Sequence, residues 1–440
     1  MEAVSEKIRI EKYPAYKDSM VEWLGEIPAH WKALANKHIF RLKKNEVGKR
    51  ANEFVLLSLT LNGIIKRDMD NPQGKFPAEF NTYQEVKKGD FIFCLFDVEE
   101  TPRTVGLSPF DGMITGAYTV LGVSEDFDKK FLYYFYLNLD SNKKMKPLYK
   151  GLRNTIPKEA FFSFKTFVPP IEEQTAIANF LDCKTAQIDK AIAQKEKLVE
   201  LLKERRQILI HKAVTRGLDE NVGMKDSGVE WICEIPEHWE VKKLKHVAGK
   251  FMYGTSVDCN ELESGTPVLR IPNIGELYID YNDLKYASLN ESDTKKYLLK
   301  KSDILIIRTN GNPALVGKSA MYSGTGNFLF ASYLIRVEPQ KNIDNNYLIH
   351  CMNSFSIRTA LTNSARTSAG NYNLNTQSLG DCYLAYPPIN EQKDIASFIE
   401  VQLNDFNRVI GKQVAQIEKL KEYKTTLINA AVTGKIKVSK

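Results

Sequence analysis

The sequence lacks the features of a membrane protein, a secreted protein or a zinc-binding protein. It contains no run of about 18 apolar residues, so a transmembrane helix is not expected. The stretch before Asp18 is charged and has no apolar centre, which argues against a secretory signal. The six cysteines are far apart and form no C-x-x-C pair, which argues against a disulfide framework and against structural zinc. We therefore expect a cytoplasmic protein that does not associate with a membrane.

Motifs that carry catalysis are also missing. No G-x-G-x-x-G loop is present, and the P-loop-like stretch 311–319 places five residues, not four, between Gly311 and Gly317. The duplicated His30 and His238 have no carboxylate or cysteine at metal-ligand spacing. We expect no catalytic residue, no metal site and no cofactor in this chain.

Positive charge is in modest excess and is clustered. The formal net charge is +7. Each half contains two basic clusters: Arg41, Lys43, Lys44, Lys49 and Arg50; Lys143, Lys144, Lys146, Lys150 and Arg153; Lys242, Lys243 and Lys245; and Lys295, Lys296, Lys300 and Lys301. Basic groups next to phosphates gain affinity by releasing counterions, so the clusters suit a nucleic-acid surface. Ordinary solvated lysines on a polar face would give the same pattern.

The chain repeats itself. Residues 17–31 (KDSMVEWLGEIPAHW) and 225–239 (KDSGVEWICEIPEHW) are identical at eleven of fifteen positions, at an offset of 208. A second matched pair begins with PPIEEQ at Pro169 and PPINEQ at Pro387, and both stretches run on without a gap to an Ala-Val-Thr triplet. The sequences between these ends have diverged. This pattern indicates two copies of one domain that dock alike and recognise different things.

Each copy closes on a segment of helical composition. The stretch 172–217 has no internal proline or glycine, and a helix of that length would extend about 65–70 Å. One heptad position is mostly apolar in both copies: Leu181, Ile188, Lys195, Leu202 and Leu209, then Ile399, Phe406, Gln413, Leu420 and Leu427. The second seam, assigned to Ile177, Ala191 and Leu198 and to Ile395 and Val409, is patchier.

This heptad pattern predicts that the two helices pack as an antiparallel coiled coil. Lys195 and Gln413 are the middle residues of the two series, and we expect this polar pair to help fix the register. Two independent surface helices are the alternative.

The fold class predicted for the two globular halves is mixed α/β (α+β), with short strands. Stretches 89–96, 302–309, 267–274 and 328–339 are rich in β-branched and aromatic residues, while 131–139 and 346–354 predict equivalent short helices. The predicted organisation is an N-terminal extension (1–15), a first recognition domain (16–168), a central helix (169–218), a second recognition domain (219–386) and a C-terminal helix (387–440).

The EIPAHW and EIPEHW openings, the PPIEEQTAI and PPINEQKDI helix starts and the Ala-Val-Thr helix ends resemble the specificity subunit of type I restriction-modification systems. The resemblance covers essentially the whole chain. It implies two target recognition domains that each read one half of a bipartite, asymmetric site in double-stranded DNA, and two conserved helices that set the spacing and dock methyltransferase subunits. Two methyltransferase subunits and restriction (motor) subunits would be the partners. S-adenosylmethionine, ATP and Mg²⁺ would belong to those partners.

Arginine, asparagine and small polar side chains in loops after strands are the candidates for DNA contact, because Arg pairs with guanine and Asn with adenine. In the first half these are Ser58, Thr60, Asn62, Arg103, Thr104, Arg153 and Asn154. In the second half they are Arg270, Asn273, Arg308, Asn310, Asn312, Lys318, Arg366, Asn371 and Asn373, with Asn375 close by. Two other functions stay open: a two-domain coiled-coil scaffold that binds proteins, and an enzyme with an unrecognised site.

Overall fold

A computed structural model describes residues 11–68, 80–261, 265–324, 326–368 and 370–438. The chain forms two compact units, Met1–Lys195 with Ala415–Lys440 and Glu196–Val414. The segments predicted as separate helical domains, 169–218 and 387–440, are therefore each divided between the units.

The first globular half is built of short strands and two helices that precede a long helix. In chain order they are β1 (Tyr16–Asp18), β2 (Glu26–Pro28), β3 (Lys32–Ala35), β4 (Phe40–Lys43), β5 (Leu57–Thr60), β6 (Gly63–Lys66), β7 (Gln84–Val86), β8 (Phe91–Phe93), β9 (Val105–Leu107), β10 (Gly112–Ile114), β11 (Thr119–Val123), α1 (Lys129–Ser141), α2 (Lys158–Ser163), β12 (Lys165–Val168) and the long helix α3 (Ile171–Arg216).

The second globular half follows the same plan. Its elements are β13 (Met224–Asp226), β14 (Glu234–Pro236), β15 (Glu240–Lys243), α4 (Leu244–Val247), β16 (Ala248–Tyr253), β17 (Thr266–Leu269), β18 (Leu277–Tyr278), β19 (Lys285–Ala287), α5 (Glu291–Tyr297), β20 (Ile304–Ile307), β21 (Thr309–Asn310), β22 (Ser319–Met321), β23 (Leu329–Phe330), β24 (Leu334–Pro339), α6 (Asn345–Asn353), α7 (Phe355–Ser364), β25 (Arg366–Ser368), β26 (Asn371–Asn373), α8 (Thr376–Gly380), β27 (Tyr383–Tyr386) and the long helix α9 (Ile389–Val432).

A mainly antiparallel sheet forms the centre of each half. Its order is β4-β11-β8-β9 in the first half and β16-β24-β20-β22-β18 in the second. Small additional sheets pair β1 with β2 and β3 with β12, and their equivalents pair β13 with β14 and β15 with β27. The mixed fold class is confirmed, as are the predicted strands around β8 and β20 and the equivalent helices α1 and α6.

The matched sequence motifs meet in space in each unit, in what we call the anchor cluster. In the first unit the fully buried Trp31 donates its indole N–H to Glu173 Oε1 at 3.0 Å, and His30 Nε2 lies 2.7 Å from Glu173 Oε2. In the second unit Trp239 and His238 contact Glu391 in the same way, both at 2.8 Å. The duplicated openings and helix starts are therefore the two sides of one structural contact.

The neighbouring glutamine of each helix start ties the long helix to the globular half. Gln174 accepts the backbone N–H of Asp128 at 3.0 Å, and Gln392 accepts that of Asp344 at 2.8 Å. Asp128 and Asp344 are the N-caps of α1 and α6. Each glutamine thus joins the start of one helix to the start of another.

The ends of the long helices also reach the anchor clusters. Gly217 follows α3 with φ +74°, and a Cβ there would lie 3.1 Å from the Trp239 ring. Gly434 follows α9 with φ +70°, and a Cβ there would lie 2.3 Å from Pro28. Glycine is required at both positions, by the backbone conformation and by the close packing.

The last residues of the predicted N-terminal extension pack against the first unit. Residues 1–10 of the predicted extension lie outside the described residues. Tyr13, in contrast, is buried and donates its hydroxyl to Glu173 at 2.6 Å. Glu11 forms a β-bridge with Lys437, so residues 11–15 belong to the first unit instead of preceding it.

Within the first unit the two long helices run antiparallel, as predicted. Lys424 Nζ lies 2.7 Å from Asp189, and Lys195 Nζ donates to Gln416 at 2.5 Å, so residue numbers rise on α3 while they fall on α9. In the second unit Arg206 on α3 donates to Asn407 on α9 at 3.1 Å. The role of Lys195 and Gln413 in fixing the register stays a prediction.

The residues of the first predicted seam are all buried or half-buried. The second seam begins as predicted at the buried Ile177 and Ile395, and it is displaced by one residue further along each helix. Leu181, Ile188, Ile399 and Leu427 are buried, and the remaining first-seam positions, Lys195, Leu202, Leu209, Phe406, Gln413 and Leu420, are half-buried. Val199, Leu403 and Ile417 are 6%, 9% and 6% exposed, whereas the predicted second-seam residues Leu198 and Val409 are 40% and 39% exposed. In a heptad the two seams are separated by alternating steps of three and four residues. The prediction placed Leu198 three residues after the first-seam Lys195, whereas the buried Val199, Leu403 and Ile417 each come four residues after a first-seam residue.

Candidate nucleic-acid interface

Two groups of candidates that are far apart in sequence lie in one three-stranded sheet, β21-β26-β25, which we call the asparagine sheet. In its register Asn373 is paired with Thr309 on one side and with Arg366 on the other. The strands are antiparallel, so directly paired residues share a face. The structure thus brings Arg366, Asn371 and Asn373 next to the strand that follows Arg308.

The two faces of the asparagine sheet differ in character. Tyr372 is partly buried and packs against the main core of the second half. Asn371 and Asn373 flank it and therefore lie on the opposite face, away from that core, together with the exposed Arg366. Asn310 is paired with Tyr372, and its side chain accepts the backbone N–H of Asn312 at 2.8 Å. The outward face consequently presents arginine and asparagine, whereas Asn310 stabilises its own loop.

Arg308 lies at the edge of this sheet and stacks on an aromatic ring. Its guanidinium carbon is 4.5 Å from the centre of the Tyr253 ring. Tyr253 Oη in turn accepts the backbone N–H of Thr376 at 3.1 Å. Tyr253 was not among the sequence candidates, because a tyrosine at the end of a strand gives no local signal of this contact.

Two predicted contact residues are buried, and we remove them from the candidate set. Thr104 is 1% exposed, and its backbone N–H and hydroxyl both donate to Asp140. Asn273 is fully buried and bonds the backbone of Arg270, Asp280 and Asn282. Both residues hold loops in place, and neither has a polar group to offer a base.

Three further candidates of the second half are occupied by local contacts. Arg270 donates to the backbone and carboxylate of Asp283, at 2.7 and 3.1 Å. Lys318 donates to the carbonyl of Ile274 at 2.7 Å, and partial burial lowers the pKa of its ammonium group. Asn312 caps a short 3₁₀ turn, and the nearby Asn375 caps α8. These contacts shape the loops around the asparagine sheet.

In the first half three of the candidates lie on a β-hairpin. Ser58 and Thr60 are on β5, and Asn62 is exposed in the turn that leads to β6. The Thr60 hydroxyl donates to the carbonyl of Gly63 at 3.0 Å and fixes the turn. Leu61, at the same tip, is 63% exposed. A two-stranded hairpin of this kind fits the width of a DNA major groove.

The other candidates of the first half are next to acidic side chains. Arg103 lies 3.9 Å from the buried Asp140 and contacts the Tyr133 hydroxyl. Arg153, which is exposed, forms a two-point contact with Asp97. Asn154 has a positive φ of 42° and donates to Glu100 at 3.1 Å. They remain accessible at the surface, but a DNA contact would compete with these bonds.

Several residues of the basic clusters are paired with neighbouring acids. The ion pairs are Lys43 with Asp90, Lys143 with Asp140, Lys146 with Glu99, Lys243 and Lys245 with Asp381, and Lys295 with Glu291. Lys144 is half-buried, donates to Asn429, and has a pKa lowered by burial. Clustering of basic residues alone is therefore weaker support for a DNA surface than it appears in the sequence.

Neither a metal cluster nor a membrane span is found in the part of the chain that the structure describes. No group of three or more His, Cys, Asp or Glu residues there could hold a metal ion. No described helix is both long enough and apolar enough to cross a bilayer.

Comparison with known proteins matches one domain family and several curated proteins. Residues 236–419 match the family model of the type I restriction modification DNA specificity domain. The EcoKI specificity subunit of Escherichia coli is 29% identical over 265 residues, which cover 59% of this chain and 55% of that protein. The MjaVIII specificity subunit of Methanocaldococcus jannaschii is 29% identical over 301 residues, or 64% of each chain. The matched stretches thus span about half to two thirds of these relatives.

Solved structures share the fold over nearly the whole chain. A chain from a study of complex assembly and conformational transition of the type I R-M system matches with a TM-score of 0.67 at 14% identity, over 92% of this chain and 98% of that one. The HsdS subunit from Thermoanaerobacter tengcongensis matches with a TM-score of 0.51 at 14% identity, over 93% and 98% of the two chains.

Proposed function

We propose that the chain is the DNA-reading subunit of a type I restriction-modification complex, because residues 236–419 match the DNA specificity domain of such systems and the chain is similar to curated specificity subunits. Each globular half would read one half of a bipartite, asymmetric target. The observation that carries the proposal is the asparagine sheet, whose outward face presents Arg366, Asn371 and Asn373 beside Arg308. Arg and Asn are the side chains that recognise guanine and adenine in the major groove.

The state of the two arginines supports this assignment. Arg308 and Arg366 have no carboxylate partner among the described residues, whereas Arg153 and Arg270 each bond an aspartate. Arg366 also lines a surface groove with Asn375 and Gln377. An arginine without an acidic partner is available to bind DNA without first losing an ion pair. The second half therefore reads its half-site with the outward face of the asparagine sheet.

The first half would use a different element for the same purpose. The hairpin β5–β6 presents Ser58, Thr60 and Asn62 near its tip. The sequence of this hairpin is unrelated to that of the asparagine sheet, in keeping with an asymmetric target. The anchor clusters, in contrast, are the same in both units, so two different readers are mounted on one kind of support.

We place catalysis in the partners of this chain. Two modification (methyltransferase) subunits would dock on the long helices, one per repeat, and flip the target adenine out for methylation. Equivalent apolar side chains are exposed at both helix starts, since Ile171 and Ile389 are each 39% exposed. Phe398 is 36% exposed, and its counterpart Phe180 is partly buried. Restriction subunits would join this assembly, and S-adenosylmethionine, ATP and Mg²⁺ would bind to the partner subunits.

The long helices would also act as a spacer. Their length would set the number of unread base pairs between the half-sites. Half-sites about one helical turn apart would present the same face of the duplex to both readers.

Co-expression with a cognate modification subunit, followed by genome-wide mapping of adenine methylation, tests the function. We expect a stable complex and one bipartite motif with an unread gap. The modification subunit expressed alone is the control and should give no such motif. Stable complexes that bind DNA only weakly and without sequence preference would favour the protein-binding scaffold. Turnover by this chain alone would point to an enzyme.

A further inference from the structure

The arrangement of Arg308 and Tyr253 follows from the order of the central sheet. Tyr253 is the last residue of β16, and Arg308 follows the last residue of β20. Both strands pair with β24, one on each side. The ends of these two strands, one on each side of β24, therefore bring the guanidinium to 4.5 Å from the ring centre, at the place where the chain enters the asparagine sheet.

The hydrogen-bonding capacity of Arg308 is largely unused. A guanidinium carries five N–H donors in one plane. In Arg308 the Nε is buried without a hydrogen-bond partner, and Nη1 makes only a long 3.5 Å contact with the carbonyl of Ser332. Because Arg308 is only partly buried, a ligand meets the remaining donors, on Nη1 and Nη2, which make no hydrogen bond shorter than 3.5 Å among the described residues.

We propose that Arg308 makes the specific contact to a guanine in the half-site read by the second domain, and that Tyr253 is the residue that positions it. This inference rests on the proposed function and names one base of the target. Stacking on Tyr253 occupies the face of the guanidinium and leaves its in-plane donors free. Guanine offers two acceptors, O6 and N7, to such a donor pair in the major groove.

A DNA phosphate is the competing acceptor for the same donors. The observations favour the base. Arg308 leads directly into β21, which pairs with the strand that carries Asn371 and Asn373. A fixed guanidinium plane beside side chains that recognise base edges is useful for reading sequence, whereas a phosphate contact does not require it.

The test uses the complex of the chain with its modification subunit and duplexes that contain its mapped target. Each guanine of the second half-site is replaced in turn by 7-deazaguanine, which removes N7. We expect one replacement to weaken binding to the wild-type complex by about 5- to 150-fold. Arg308→Ala should bind the unmodified duplex with a similar loss and should show no further loss on that replacement.

Variants of Tyr253 test whether it positions Arg308. The variant Arg308→Lys distinguishes a contact with a base from a contact with a phosphate. Tyr253→Phe keeps the ring face and should retain the guanine preference, while Tyr253→Ala should lose much of it. Arg308→Lys keeps the charge and loses the planar fork, so it should relax the preference for that guanine and keep the salt dependence of binding. Lys225→Ala, on β13, removes an exposed basic side chain of the same half and should change neither the guanine preference nor the salt dependence. Thermal unfolding and complex formation confirm that each variant is folded.

Three results would contradict parts of this account in different ways. Uniformly weaker binding to all sequences by Arg308→Ala, with a shallower salt dependence, would show a phosphate contact and overturn the inference. A bipartite motif without guanine in the second half-site would also overturn it and leave the proposed function intact. No sequence preference in the wild-type complex would reject the proposed function itself.

Discussion

The carboxylate of Glu391 accepts the indole N–H of Trp239 at 2.8 Å, across 152 residues of sequence. Trp239 is fully buried, and the other oxygen of Glu391 contacts His238. Trp31 and Glu173 form the same contact in the first unit. The motifs that open and close each repeat are thus explained by one hydrogen-bonded anchor, which leaves the rest of each half free to differ.

Removing this acceptor should destabilise the protein. Glu391→Ala leaves a buried indole N–H without a partner, so we expect the free energy of unfolding to fall by about 1–3 kcal/mol. Glu391→Gln keeps an acceptor oxygen and should lose less. Urea unfolding of the purified chain measures both. Lys393→Ala, an exposed neighbour on the same helix, is the control. Equal losses for Glu391→Ala and Lys393→Ala would show that the anchor contributes nothing.

The helix seam gives a second prediction. Leu403 is 9% exposed on α9, and Val401 on the same helix is 59% exposed. Leu403→Ala should lower the free energy of unfolding by about 2–4 kcal/mol, because it removes buried apolar contacts and leaves a cavity. Val401→Ala should change it by no more than about 0.5 kcal/mol. A larger effect at Val401 would mean that the seam lies on the other side of the helix.

These seam residues show what the sequence could and could not predict. The seven-residue repeat at Leu181 and Ile399 identified the buried face of both helices. It did not determine whether the next seam lies three or four residues further on, because Leu198 is as apolar as Val199. Apolarity alone did not discriminate between them, and only packing did.

The candidate interface likewise has one part that the sequence predicted and another part that it could not predict. The motif pairs predicted the two halves, and the stretches rich in β-branched and aromatic residues predicted their mixed fold class. The preference of DNA readers for Arg and Asn selected Arg366 and Asn373. The register that pairs these two residues depends on contacts across the sheet, which local sequence does not encode. Thr104 and Asn273 were wrong for a related reason: polar residues that stabilise buried loops have the same side chains as residues that bind bases.

Stability should depend on pH through His350. This residue is buried, and burial lowers the pKa of its imidazole to about 4, despite an opposing effect of Asp344. An unfolded histidine titrates near about 6.5, so below that pH the unfolded chain gains a proton that the folded protein does not. The stabilisation that comes from the neutral His350 is therefore fully present above about pH 6.5 and is lost as the pH falls from there towards 4.

We expect the His350 contribution to fall by about 2 kcal/mol between pH 7 and pH 5. Urea unfolding at both pH values, compared between the wild type and His350→Leu, measures it: the variant should lose less stability on acidification. His246→Leu removes an exposed histidine and serves as the control. An unchanged pH dependence in His350→Leu would show that His350 does not titrate in this way.

The hairpin of the first half should contribute to DNA binding independently of the second half. Asn62→Ala, at the exposed turn, should weaken binding of the cognate duplex by the complex with the modification subunit, by up to about 3 kcal/mol. Competition binding with duplexes altered in one half-site at a time measures which half-site is affected. Met20→Ala, an exposed residue of the domain opening, should have no effect. Loss at both half-sites would contradict independent reading.

The central claim is that two independent readers are mounted on duplicated anchors. Genome-wide mapping of adenine methylation, in cells that express the modification subunit with either wild-type chain or a variant, tests it most directly. The variants are Thr60→Val with Asn62→Ala in the first half and Asn371→Ala with Asn373→Ala in the second. The account predicts a bipartite motif in which each variant relaxes one half-site and leaves the other half-site and the gap unchanged. Equal relaxation of both half-sites by either variant, or a wild-type motif without two parts, would contradict it.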